Sequence, residues 1–182
     1  MNLSNIKHIL NYMENNFLEI YSHSERVSLL CYVLARELKL SHKETELCYV
    51  SGLLHEIGKI YIPEEIKIKD GIIINSNDIY FRFTNCVLST YEDFDRVIKI
   101  ITQHQENYDG SGIPGDFKED EIDVLSIVLR ICDFYDTQKM SGLIHDDITK
   151  LLRKNANIIF PNKIITPFIK SVIKNDLKEF EN

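Results

Sequence analysis

The sequence predicts an all-α fold in a single domain, on three observations. Apolar residues recur at helical spacing through most of the chain, two serine–glutamate pairs fit capping boxes, and only one short segment is strand-like. At 182 residues the chain is long enough to bury a proper core. Its 44% apolar and 27% charged composition is that of an ordinary soluble globular protein.

The elements follow in order. After Ser22, the residues Val27, Leu30, Cys31, Leu34, Ala35 and Leu38 make one helical stripe, and Ser22 with Glu25 fits a capping box that starts it. Ser41 with Glu44 fits a second box, whose helix runs through Leu47, Val50 and Leu54 and stops at Gly58 as a C-terminal glycine. Residues 66–74, rich in isoleucine around Asp70-Gly71, are the strand-like patch and are compatible with a small hairpin. A weaker helix covers Asp78 to about Ser89. Thr90 caps the next, whose buried face of Phe94, Val97, Ile98 and Ile101 carries on to His104. Residues 107–121 hold the densest turn signals. An intensely apolar helix spans Ile122 to about Tyr135, followed by helices from about Asp146 to Asn155 and from Ile164 to Lys174. The domain is read as residues 1–182.

Composition excludes some function classes. A net charge of -7 argues against whole-molecule attraction to nucleic acid, so a small anionic ligand would need local metal or Lys/Arg help. There is no basic-then-apolar leader and no apolar run of bilayer length, which reads as a cytoplasmic protein without membrane association. Cys31, Cys48, Cys86 and Cys132 form no CxxC pair, and each sits in an apolar segment. They read as buried free thiols in a reducing compartment.

The polar anomalies carry the chemistry. His55-Glu56 closes the apolar run Leu53-Leu54, and a neutral imidazole beside a carboxylate makes a good metal-binding pair. Burying such groups without a metal or partners is costly. The similar dipeptide His145-Asp146 lacks an apolar helix leading into it and reads as loop surface. Asp133 follows Ile127-Val128-Leu129-Arg130-Ile131-Cys132, too apolar a run to leave a carboxylate unpaired. It is either ion-paired to Arg130 one turn away or a metal ligand on a rigid helix, and the segment alone does not decide. Alone, His23 reads as a cap or surface residue and His104 as a hydrogen-bonded core histidine. The glycine-rich loop after His104 is no P-loop, because no Gly-Lys-Ser/Thr follows it.

Taken in order, these pieces resemble the HD superfamily of metal-dependent phosphohydrolases, and within it the HD-GYP branch. The resemblance runs from about Ser22 to Lys174. It rests on His23-Ser24-Glu25-Arg26-Val27, on Leu53-Leu54-His55-Glu56-Ile57-Gly58-Lys59, on His104-Gln105-Glu106-Asn107-Tyr108-Asp109-Gly110-Ser111-Gly112-Ile113-Pro114, on Arg130-Ile131-Cys132-Asp133-Phe134-Tyr135-Asp136, and on Phe160-Pro161. It implies an HD-domain-like helical bundle and a bacterial signalling phosphodiesterase that hydrolyses cyclic di-GMP with iron or manganese. His23, His55 and Asp133 match metal ligands, His104 the first histidine of a His-His pair, and Lys59 a lysine near the phosphate.

The departures are equally specific. Glu56 stands where the pattern has aspartate, Gln105 replaces the second histidine of the pair, and the family's His-Pro segment falls near Asn85-Cys86. Ile113 replaces the signature tyrosine, and Gln138-Lys139-Met140-Ser141-Gly142 replaces a basic, proline-containing segment. The resemblance therefore implies about one divalent transition metal, iron or manganese, held by His23, His55, Glu56 and Asp133 with His104 assisting. Glu56 and Lys59 would be catalytic, and Lys59, Asp109, Gly110 and Gly112 would contact cyclic di-GMP or another small nucleotide phosphate. The rival reading is an inactive relic serving as a nucleotide-binding module or as a docking module for a signalling protein partner.

Overall fold

Helical periodicity is realised almost throughout the computed structural model, which describes residues 3–61, 68–69, 72–73, 77–91 and 93–173. The chain opens with α1 (Leu3–Asn16), an amphipathic helix that the sequence reading did not include. It buries Ile6, Ile9 and Met13, one turn apart along one face. Helix α2 (Leu18–Glu37) starts a turn before Ser22, with Phe17 as an N-cap that lacks a side-chain bond. The capping box expected at Ser22 and Glu25 is therefore wrong. Tyr21 N–H already bonds Phe17 C=O, so Ser22 follows an N–H that is already satisfied.

Helix α3 (His42–Leu54) has the box expected at Ser41: its hydroxyl accepts from Glu44 N–H, and the Glu44 carboxylate accepts from Ser41 N–H. The helix stops at Leu54, four residues before Gly58, with His55 as its C-cap. Gly58 instead lies inside a one-turn helix, α4 (Ile57–Ile60). Two short strands, β1 (Ile68–Lys69) and β2 (Ile72–Ile73), pair antiparallel with Ile68 opposite Ile73, which is the small hairpin. Helix α5 (Asn77–Leu88) follows. Helix α6 (Asp95–Gln103) is entered from Phe94, not Thr90, whose hydroxyl instead donates back to Val87 C=O at the end of α5.

Helix α7 (Val124–Met140) is capped by Asp123, which accepts from Leu125 N–H, and extends beyond the expected end at Tyr135. Helix α8 (His145–Lys154) and helix α9 (Asn162–Phe168) follow, the latter passing into a π-turn at Ile169–Ile173. His145 is not loop surface. It starts α8, is half-buried, and its Nδ1 lies 3.1 Å from Tyr135 Oη.

Three helices frame the centre. Helices α2 and α3 pack side by side and α7 lies against both. Val27, Cys31 and Leu34 of α2, Cys48 and Leu54 of α3, and Leu125, Val128 and Cys132 of α7 are fully buried between them. Gly52 sets the spacing: a Cβ there would lie 2.6 Å from Ser28 Cα, so the two helix backbones touch at this point. Cys31, Cys48 and Cys132 are buried free thiols as expected, but Cys86 is exposed on the outer face of α5. Among the described residues no helix is long and apolar enough to cross a membrane.

Candidate metal centre

The close contact at Gly52 brings one turn of α2 and the end of α3 together, and α7 adds a carboxylate. His23 Nε2 lies 3.2 Å from His55 Nε2 and 3.3 Å from Asp133 Oδ1. His55 Nε2 lies 3.8 Å from the same Asp133 oxygen and 3.5 Å from Glu56 Oε1. The candidate ligand atoms of His23, His55 and Glu56 all fall within 4.8 Å of one another. His55 is fully buried, Glu56 nearly so, and the side chains of His23 and Asp133 are 21% and 19% exposed, which leaves the cluster open on one side.

Each imidazole is oriented by its other nitrogen. His23 Nδ1 donates to Asp136 Oδ2 at 2.7 Å, His55 Nδ1 to Gly52 C=O at 2.8 Å, and His104 Nδ1 to Ile101 C=O at 2.5 Å. Carboxylate and carbonyl oxygens only accept, so the proton of each neutral ring sits on Nδ1 and the lone pair on Nε2. Two such lone pairs facing each other at 3.2 Å repel unless a cation or a proton lies between them. A proton on His23 relieves the repulsion in the same way. Burial disfavours the imidazolium of His23, but Asp133 and Asp136 outweigh burial and raise its pKa to about 9. Burial likewise opposes the charge on Asp133, yet the hydrogen bond from His23 and the nearness of His55 hold its carboxyl well below the ordinary range.

The spacing fits a metal ion. Donors about 2.1 Å from one ion lie about 3.0 Å apart at a right angle and about 3.4 Å apart at the tetrahedral angle. The separations from His23 to His55, His23 to Asp133 and His55 to Glu56 lie near those values. Mixed imidazole and carboxylate donors suit a first-row transition ion.

Two positioning residues emerge that the sequence reading left without a role. Arg26 Nε and Nη2 grip the two oxygens of Asp136 at 2.8 and 2.9 Å, and Asp136 in turn holds His23. Both stand three residues after a candidate ligand, Arg26 after His23 and Asp136 after Asp133. Helical spacing alone places each pair on one face. Asp133 lies against His23 and His55 and accepts from the Thr137 hydroxyl at 3.4 Å, while Arg130 Nη2 reaches Asn107 Oδ1 at 3.3 Å.

Lys59 straddles the Glu56 carboxylate, its Nζ 2.8 Å from Oε1 and 2.6 Å from Oε2. His104 stands beside the cluster, its ring 5.7 Å from that of His55, with Tyr80 and Phe81 edge-on at 6.4 and 6.3 Å. Burial, with His55 next to it, pushes its imidazole down to about 4. Its Nε2 is buried and has no hydrogen-bond partner among the described residues.

Asp109, Gly110 and Gly112 are not in this cluster. The Asp109 carboxylate accepts from Ser111 N–H and Oγ, closing its own turn. Gly110 has φ +85°, and a Cβ on Gly112 would fall 2.0 Å from Asn107 N. The buried Glu106 carboxylate pins the far end of the loop by accepting from Gly115 and Asp116 N–H. Asn85 and Cys86 are both exposed, whereas Tyr80, Phe81 and Thr84 of the same helix are buried.

Comparisons with known proteins place the chain in a family. A protein named cyclic di-GMP phosphodiesterase from Thermotoga maritima is 30% identical over 141 residues, covering 74% of this chain and 38% of that protein. A 3'3'-cGAMP-specific phosphodiesterase 1 from Vibrio cholerae is 30% identical over 125 residues, covering 63% of this chain and 28% of that protein. The chain thus spans well under half the length of these curated relatives. The crystal structure of the phosphodiesterase PgpH HD domain from L. monocytogenes, in complex with cyclic-di-AMP, superposes with a TM-score of 0.66 at 16% identity. That match covers 96% of this chain and 97% of that one, which shows a shared fold. The family profile described as HD domain matches residues 9–150, and the chain belongs to the HD-domain family.

Proposed function

We propose that this chain is a metal-dependent phosphodiesterase domain whose substrate is cyclic di-GMP or a closely related cyclic dinucleotide. The observation that carries the reading is the convergence of the His23 and His55 Nε2 atoms with Asp133 and Glu56 oxygens, each imidazole fixed by a separate acceptor on Nδ1. About one iron or manganese ion would be held by His23, His55, Glu56 and Asp133. When bound, such an ion supplies Lewis acidity, lowering the pKa of water and polarising phosphoryl oxygens.

The remaining work falls to the chain. Asp136 and Arg26 keep the His23 lone pair aimed at the centre and stop the ring from turning. Asp133 balances positive charge there. Lys59, half-exposed on its side chain, can leave Glu56 to meet a phosphoryl oxygen and offset its charge. His104, neutral at pH 7, offers one more buried nitrogen at the rim of the centre.

The names of the relatives support the substrate class. Turnover is expected to be slow, because Ile113 replaces the signature tyrosine and the basic segment after Asp136 is lost. The rival reading, a relic that binds nucleotide or a signalling partner without hydrolysis, shares the same centre. Incubation of the purified chain with cyclic di-GMP, cyclic di-AMP and 3'3'-cGAMP, with and without manganese, separates them. Metal-dependent formation of linear product, lost in His23→Ala, supports the enzyme. Metal binding without turnover of any of the three supports the relic.

A further inference from the structure

Glu56 stands between two competing partners. Its Oε1 faces the cluster 3.5 Å from His55 Nε2, yet both its oxygens are within 2.8 Å of the Lys59 ammonium. The carboxylate is almost buried, at 8% exposure, while the Lys59 side chain is 52% exposed and has room to swing. Glu56 caps α4 and Lys59 is its third residue, so the pair closes across a single turn without backbone movement.

We propose that the Glu56–Lys59 ion pair is a latch that couples metal and phosphate binding. This inference rests on the metal-centre reading above. In the latched state the ammonium competes with a divalent ion for the Glu56 oxygens, and Glu56 competes with a phosphoryl oxygen for the ammonium. An arriving ion takes Glu56 and releases Lys59. An arriving phosphate takes Lys59 and releases Glu56. Each ligand therefore removes the obstacle to the other, and the coupling is reciprocal. The consequence runs against the ordinary expectation for a lysine beside an active site: removing Lys59 tightens the metal.

The test is a calorimetric titration of the metal-free full chain with manganese, repeated with sub-millimolar inorganic phosphate. It compares the unaltered chain with Lys59→Met, Glu56→Gln and the double variant. Lys59→Met is expected to bind manganese about fivefold more tightly, the scale of one partly exposed ion pair. Phosphate is expected to tighten manganese binding in the unaltered chain and to do so less in Lys59→Met.

Loss of a positive charge also strengthens cation binding through space, and the Glu56→Gln background isolates that effect. There Lys59→Met should change affinity by less than about twofold. An equal gain in both backgrounds overturns the latch, as does a Lys59→Met affinity equal to that of the unaltered chain; either result leaves the metal centre standing. Absence of manganese binding in all four proteins overturns the metal centre and the latch together. Should Glu56→Gln not fold by circular dichroism, the difference in phosphate coupling between the unaltered chain and Lys59→Met decides the matter.

Discussion

Asp136→Asn separates the orientation of His23 from its presence. The substitution keeps shape and leaves a carbonyl oxygen able to accept from Nδ1, but it removes the charge that Arg26 grips at 2.8 and 2.9 Å. Asp136 is 3% exposed, so its hydrogen bonds are shielded from water, whereas the Arg26 side chain is 40% exposed and can be resolvated. The cost to folding should therefore stay below the roughly 3–5 kcal/mol of a fully buried pair that loses one partner. The cost to metal binding should be that of removing an outer carboxylate from a histidine ligand, about 10- to 100-fold in affinity, or about 1.4–2.8 kcal/mol. Cobalt titration followed by visible absorption reads the affinity, and circular dichroism checks that the helices persist. A folded Asp136→Asn chain that binds cobalt as tightly as the unaltered one would refute the idea that Asp136 positions His23.

Further outcomes follow from the same geometry. Gly52→Ala puts a methyl 2.6 Å from Ser28 Cα, so α2 and α3 must part; thermal unfolding should report a loss of about 1–3 kcal/mol, with weaker metal binding because His23 and His55 separate. The metal-free chain should lose stability as pH rises from about 6.5 through about 9, because the raised pKa of His23 contributes stability only while the ring is protonated. At the acid end, the lowered carboxyls of Asp133 and Asp136 contribute stability that is complete above the ordinary carboxylate range and is lost as pH falls below that range through their lowered values. Manganese should reverse the alkaline trend, since an ion displaces the His23 proton, and melting curves with manganese or with chelator across that window check both signs. Finally, Asn85→His with Gln105→His should leave metal content unchanged by elemental analysis. Asn85 is exposed, and Tyr80 and Phe81 already stand against His104.

The helical class was legible because it rests on period, and Val27, Cys31 and Leu34 or Val97 and Ile101 repeat it clearly. Helix ends were less so. Ser41 and Glu44 look in sequence like Ser22 and Glu25, but only the first pair sits where the chain has no earlier helical turn to satisfy its N–H groups. Gly58 looks like a terminator, yet α3 ends earlier so that His55 can turn its Nδ1 onto Gly52 C=O. Of the polar residues that stood out in apolar runs, His55 and Glu56 gather with His23, and Asp133 lies 3.3 Å from His23. Asp136 and Arg26 stayed hidden. Each lies next to a flagged residue and looks like ordinary helix-surface charge until the tertiary fold closes α2 on α7. Cys86 and Asn85 show the converse, since an apolar neighbourhood in sequence did not fix which side of α5 they face.

The central claim is that His23, His55, Glu56 and Asp133 form one transition-metal site. The most direct measurement is elemental analysis of the chain purified without chelator, alongside manganese-dependent thermal shift of the unaltered chain and of His55→Ala. About one iron or manganese ion per chain and a clear upward shift with manganese, both abolished in a folded His55→Ala, is the predicted result. A metal-free chain whose melting temperature ignores manganese would contradict the account.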